Sequence, residues 1–261
     1  PTTANPPPAT HPEEQEALFK VIEERGLIQH AAWVLKVIQL YETSLVRHGI
    51  MLVGPTGGGK TNIFKCLEIT LTRTVGITIK PLRMNPKAIR APEMYGQVDK
   101  MSGEWTTGCF AAIWGKSNQR ANKWITWILM DGPVDAIWIE DLNTVLDDNR
   151  ILTLANGDRM PMTDNVKIMF EVETLKNASP ATVSRAGIIY VSDTDLDWKP
   201  VVHAWLMTRP EDQQAILGPW SEKMMGENTP VDVGHLIDFL NRHTQQVMSP
   251  SRPRRRTWCR M

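Results

Sequence analysis

The strongest constraint on what this chain can fold into is a run of eight residues, Gly54-Pro55-Thr56-Gly57-Gly58-Gly59-Lys60-Thr61, which follows the pattern G-x-x-x-x-G-K-[ST]. It sits between Ile50 to Val53, read as a short strand, and the apolar-periodic stretch Thr61 to Thr70, read as a helix. Glycines in such a loop let successive backbone N–H groups turn inward around a phosphate, and the helix N-terminus adds its partial positive charge. In this pattern Lys60 reaches the β- and γ-phosphates, and the Thr61 hydroxyl ligates Mg²⁺. The bland reading is a glycine-rich turn that only joins a strand to a helix. The agreement of motif and context favours the nucleotide site.

Around that loop the chain reads as alternating helices and strands. Glu13 to Arg25, with Leu18, Val21 and Ile22 at helical spacing, predicts an amphipathic helix. Ala31 to Val46 predicts a second, with Val34, Val37, Ile38, Tyr41 and Leu45 on one stripe. Val75 to Lys80, Lys167 to Val172 and Ile188 to Val191 predict strands, Ala136 to Ile139 a buried strand, and Ile125 to Met130 a further element. Strands separated by helices point to an α/β fold, a three-layer αβα arrangement on a mostly parallel sheet that binds ligands at its carboxyl ends. From Trp198 onward the strand signal stops, and Leu196 to Met207, Pro210 to Met225 and Val231 to Gln246 read as helices. The expected division is therefore a Pro-rich disordered segment (1–12), a nucleotide-binding α/β domain (13–197), a partial helical lid (198–248) and an arginine-rich tail (249–261).

Phosphoryl-transfer sites of this kind need an acid at the end of a second strand to hold Mg²⁺ through water, and hydrolytic ones place a Glu beside it to activate the attacking water. Ala136 to Ile139 followed by Glu140-Asp141 supplies such a pair, with Glu140 as the metal's acid and Asp141 in the base position. The order is inverted relative to Asp-then-Glu. The shorter side chain at the base position withdraws its oxygen, and a misplacement of about 1 Å can cost around a hundredfold in rate. Asp147 and Asp148 read as turn or helix-end residues.

Composition narrows the function classes. With 42% hydrophobic and 22% charged residues the chain is globular, and its longest apolar stretches fall well short of a membrane span. Cys66, Cys109 and Cys259 are widely spaced, which indicates neither a disulfide framework nor a zinc site and fits a reducing, cytoplasmic setting. Arg252, Arg254, Arg255, Arg256 and Arg260 crowd into the last ten residues, so the body before them carries an acidic excess and is no obvious nucleic-acid binder. No membrane or nucleic-acid partner is expected. The Pro/Thr-rich opening without Met reads as part of something longer.

Longer phrases carry a resemblance. Leu40-Tyr41-Glu42-Thr43 and Val46-Arg47-His48-Gly49-Ile50-Met51-Leu52-Val53-Gly54, then Asn85-Pro86-Lys87-Ala88-Ile89 with Met94-Tyr95-Gly96, the stretch from Asp131-Gly132-Pro133-Val134-Asp135 to Asp147-Asp148-Asn149, and Asn177-Ala178-Ser179-Pro180-Ala181-Thr182-Val183-Ser184-Arg185 resemble the second AAA+ module of dynein heavy chains, axonemal more than cytoplasmic. The likeness covers about Glu13 to Met207. It implies a module that binds ATP with Mg²⁺ and hydrolyses it little, commonly with Asn where a catalytic Glu would stand; this chain has Asp141 there. It also implies that Arg185 reaches the nucleotide of a neighbouring module as a finger acting in trans, and that Glu171 lies where such folds place a γ-phosphate sensor. The implied partners are the neighbouring AAA+ modules of the same heavy chain, with intermediate and light chains and microtubules reached through the rest of the motor. The implied location is the cytoskeleton of a cilium or flagellum. A free-standing P-loop ATPase with its own turnover is the alternative reading, and a non-functional fragment that keeps the signature is a third. Among nucleotides ATP is preferred over GTP, because the Asn-Lys-x-Asp guanine-reading motif is absent.

Overall fold

The structure is a computed structural model that describes residues 12–225, apart from 193, 194 and 197. The Pro-rich opening before residue 12, the helix expected over Val231 to Gln246 and the arginine tail lie outside the described residues. Two helices come first, α1 (Pro12–Glu24) and α2 (Ala31–Val46), followed by β1 (Gly49–Val53), α3 (Lys60–Thr74) and β2 (Ile79–Met84). A short helix α4 (Ala91–Tyr95), an antiparallel hairpin of β3 (Gly96–Val98) and β4 (Trp105–Thr107), and α5 (Cys109–Ser117) lead to β5 (Ile125–Asp131). Single turns α6 (Ala136–Ile139) and α7 (Asn143–Leu146) and a second hairpin, β6 (Ile151–Thr153) with β7 (Arg159–Pro161), precede β8 (Val166–Val172). Last come α8 (Pro180–Arg185), β9 (Gly187–Tyr190), α9 (Trp198–Met207) and α10 (Glu211–Met225).

Five strands form one sheet in the order β2-β5-β8-β1-β9, every neighbouring pair parallel. A parallel sheet is stable only with both faces covered, and β1 is buried along its whole length. Because side chains alternate along a strand, the two faces feed two cores. Met51, Val53, Ile128, Met130, Ile168 and Phe170 pack with residues of α4, α5, α6 and α7. Ile50, Leu52, Trp127, Leu129, Met169 and Ile189 pack with α1, α2 and α3. The expected αβα layering is thus the observed one. Trp114, Trp127 and Trp138 belong to these cores, and Trp138 stacks on Phe170 at a centroid distance of 6.1 Å. Among the described residues no helix is long and apolar enough to cross a membrane.

Three expectations need correction. The strand expected over Val75 to Lys80 begins later, at Ile79, since Val75 still donates its N–H to Leu71 as the C-cap of α3 and Gly76, at φ 71°, turns the chain. Pro81 is tolerated because β2 is an edge strand. On α2 the inward face carries Trp33, Val34, Val37 and Leu40, whereas Leu45 points to solvent. Most consequential, Ala136 to Ile139 is a helical turn, not a strand. It starts only four residues after β5 ends, and a parallel neighbour needs a crossover of about a dozen residues or more. Asp135 initiates the turn, its side chain accepting from the N–H of Ile137 at 3.2 Å and its carbonyl from those of Trp138 and Ile139.

A turn and a strand orient this segment differently. In the turn, Ile137 is 73% exposed while Ile139 is fully buried; an alternating strand would give both the same face. Ile137→Asp should therefore shift stability by no more than about 0.5 kcal/mol, whereas Ile139→Ala should cost about 2–5 kcal/mol in urea unfolding. Equal losses would contradict the helical turn.

Candidate functional site

The carboxyl ends of β1, β5 and β8 converge on the eight-residue loop, tied to the sheet by a bond from the Gly54 N–H to the Val172 carbonyl at 3.1 Å. Gly57 and Gly59 take φ values of 88° and 85°, a left-handed backbone that a Cβ would strain. Gly59 also lies against α2: a Cβ there would come 2.6 Å from the Trp33 indole nitrogen. α3 then begins with no acidic residue in its first turn and no side-chain cap, so its N–H groups and positive dipole end are left to a ligand.

Lys60 is buried, and its Nζ donates to the loop's own carbonyls, Gly54 O at 2.7 Å and Pro55 O at 3.0 Å. Burial pushes its pKa down, and the charges of Glu171, Glu173 and Asp131 oppose that shift. A buried ammonium held by two neutral carbonyls is poised for an anion. The Trp33 Nε1–H is likewise buried without a partner, a condition that costs about 1–3 kcal/mol until something accepts from it. The orphan donor on α2 beside Gly59, the buried cation and the open helix end thus adjoin one loop, and together they fit a polyphosphate.

The acids are arranged differently from the expectation. Glu140 and Asp141 lie in an exposed 3₁₀ turn after α6, so neither stands at a strand end. Partial desolvation, with help from the Glu140 charge, raises the Asp141 pKa, and Asp141 in turn contributes to raising that of the buried Tyr95, whose hydroxyl donates to the Trp138 carbonyl. The strand-end acid is Asp131, the last residue of β5 and the direct neighbour of Glu171 on β8. Thr61 Oγ1 donates to Glu171 Oε1 at 2.6 Å, and Arg83 Nη1 donates to Glu171 Oε2 at 2.9 Å and to Asp131 Oδ2 at 2.6 Å. Glu171 is thus in contact with Thr61, the last residue of the loop. Asp131, Arg83 and Trp33 are additions. Thr61 and Asp131 are oxygen donors of the kind Mg²⁺ takes, and they would be the ones to hold it: the hydroxyl keeps its lone pairs while donating to Glu171, and Mg²⁺ commonly takes only one or two protein groups beside phosphates and water. Behind Asp131 stands Gly132, which has no carboxylate, and a Cβ there would come 2.7 Å from Asn85 Oδ1 and oblige that side chain to shift.

Arg185 closes α8, whose N-cap Ser179 accepts from the Thr182 N–H at 3.2 Å. Its Nε bonds the Asp147 carboxylate, and its Nη1 donates to Ala181 O at 3.0 Å. Asp147 is the C-cap of α7, the helix-end role expected of it, with Arg185 as its partner.

The family described as "AAA domain (dynein-related subfamily)" matches residues 49–186, from the first residue of β1 through α8. The chain belongs to the dynein-related AAA family. A second family, "Hydrolytic ATP binding site of dynein motor region", matches residues 2–61. Among curated relatives, the Chlamydomonas reinhardtii "Dynein gamma chain, flagellar outer arm" is 59% identical over 77% of this chain. The rat "Dynein axonemal heavy chain 5" is 50% identical and the mouse "Dynein axonemal heavy chain 8" 49%, each over 80% of it. The chain spans only 4% to 6% of the length of these three relatives. The AAA match covers four of the five sheet strands, β1, β2, β5 and β8, and the residues that reach the loop from them, and it ends one residue before β9.

The packing of Trp33 on the loop can be checked directly. Gly59→Ala adds a left-handed Cβ, worth about 1–2 kcal/mol of strain, and an overlap with the indole. The unfolding free energy from urea titration should fall accordingly, by about 1–3 kcal/mol in total, and the midpoint with it. An unchanged midpoint would contradict both the left-handed backbone at Gly59 and the packing of Trp33 on it.

Proposed function

We propose that this chain is the second AAA+ module of a dynein heavy chain of the axonemal type, and that it binds Mg-ATP while hydrolysing it little or not at all. The observation that carries the reading is the pairing of an intact phosphate loop with Asp131-Gly132. The loop supplies Lys60, the helix end and Thr61 for a triphosphate, but the residue after the strand-end acid has no side chain to activate water. Mg²⁺, when bound, would supply positive charge against the phosphates. In this chain Thr61 and Asp131 would hold it, in place of the Glu140 suggested by the sequence, and Glu171 would hold the Thr61 hydroxyl in position. Asp141, in its exposed turn, is left without a role in the attack.

The wider setting follows from the relatives' names. Neighbouring AAA+ modules, intermediate and light chains, microtubules and an axonemal location would belong to the whole motor. Within a ring, Arg185 would act in trans on the first module's nucleotide. It would have to leave Asp147 to do so. A guanidinium placed against developing phosphoryl charge is worth about 10³ to 10⁵ in rate.

Two measurements test this. Purified chain mixed with radiolabelled ATP and Mg²⁺ should retain unhydrolysed ATP through a single turnover, and Lys60→Ala should retain none. Rapid phosphate release that disappears in Asp141→Asn would restore Asp141 as a base and favour a free-standing ATPase. In an intact ring, Arg185→Ala should slow turnover by about a thousandfold or more at the site it serves while ATP binding to this module persists. Unaltered ring turnover would remove the finger role.

A further inference from the structure

Arg83 is a charge in the nucleotide site that no phosphate-loop pattern calls for. It stands one residue before the end of β2, beside β5, and one nitrogen, Nη1, serves two acids: Asp131 Oδ2 at 2.6 Å and Glu171 Oε2 at 2.9 Å. Those acids are register partners on adjacent strands, so their carboxylates are held side by side by the sheet itself. Two like charges at that spacing repel unless a cation lies between them. In a metal-dependent site that cation arrives with the nucleotide. Here it is covalently part of the chain, and guanidinium stays protonated at any working pH. Burial pulls the Arg83 pKa down, but the bonds and charges of Asp131 and Glu171 more than reverse the shift.

The consequence reaches the loop. Glu171 is the least exposed member of the trio, at 10%, and its second oxygen accepts from Thr61, so one unbroken chain runs Thr61, Glu171, Arg83, Asp131. Both groups available to a divalent cation are therefore already held, one of them by a cation. We propose that Arg83 is a resident counter-ion of the nucleotide site, neutralising Asp131 and Glu171 so that ATP is retained with little dependence on a divalent cation. This rests on the ATP-binding reading above.

The test is the affinity of the 261-residue chain for a fluorescent ATP analogue, measured in Mg²⁺ and in excess EDTA. Removing Mg²⁺ should weaken wild-type binding by no more than about threefold, because the acids facing the phosphates remain neutralised. In Arg83→Gln the same removal should cost at least about ten times the wild-type loss, and Arg83→Lys, which keeps the charge, should recover most of the difference. Mn²⁺ binding without nucleotide, followed by electron paramagnetic resonance, should strengthen in Arg83→Gln as two bare carboxylates become available. A wild-type loss well above threefold on chelation, or equal Mg²⁺ dependence in wild type and Arg83→Gln, overturns the proposal while leaving ATP binding intact. The wild-type arm decides the matter even if the glutamine variant does not fold. No nucleotide binding by the wild type in either condition would instead overturn the ATP reading, and this proposal with it.

Discussion

The parallel pairing of β1 with β8 is the contact on which the site depends. Its register sets Leu52 against Glu171 and Val53 against Val172, so that Glu171 emerges beside the start of the phosphate loop. From that position its carboxylate reaches Thr61 on the first turn of α3 and Arg83 on β2. A one-residue slip would turn Glu171 to the other face and send every apolar residue of β8 into the wrong core. The register is held from both sides, by Met51, Phe170 and Val53 in one core and by Leu52 and Met169 in the other. Site geometry and core packing are therefore one constraint. The glycine loop has its conformational freedom, but the place where it can be used is fixed by buried methionine, leucine and phenylalanine.

What was legible in the sequence was what depends on neighbours in the chain. The loop pattern, the exact span of α2, and the strands β1, β8 and β9 to within two residues all follow from local periodicity and from turn residues. The strand-end acid was not legible in the same way. Two apolar runs, Ile125 to Met130 and Ala136 to Ile139, are each followed by an acid, and composition cannot choose between them. The choice lies in chain length: so short a connection after β5 leaves no crossover to a second parallel strand, and Pro133 with Asp135 mark a helix start. Isoleucine's strand preference lost to topology. Arg83 had no local signal at all. Its role exists only because the sheet order β2-β5-β8 places three strand ends in a row, a fact of tertiary structure.

The two arginines of functional interest differ in how firmly they are held, and the difference suits their proposed roles. Arg83 bridges two acids, one of them nearly buried, so moving it would expose like charges to one another. It is built to stay. Arg185 bonds a single carboxylate, Asp147, and one helix carbonyl, and both members of the ion pair are about a third exposed. Partly exposed pairs of this kind contribute only about 0–1 kcal/mol once solvent screening is included. A phosphate approaching from a neighbouring module would compete for the guanidinium with a far denser negative charge, and the gain on offer in phosphoryl transfer exceeds the loss of the Asp147 contact several-fold. The contact to Asp147 would then serve to keep the side chain ordered, and to spare the entropy of fixing it, without committing it to its own module.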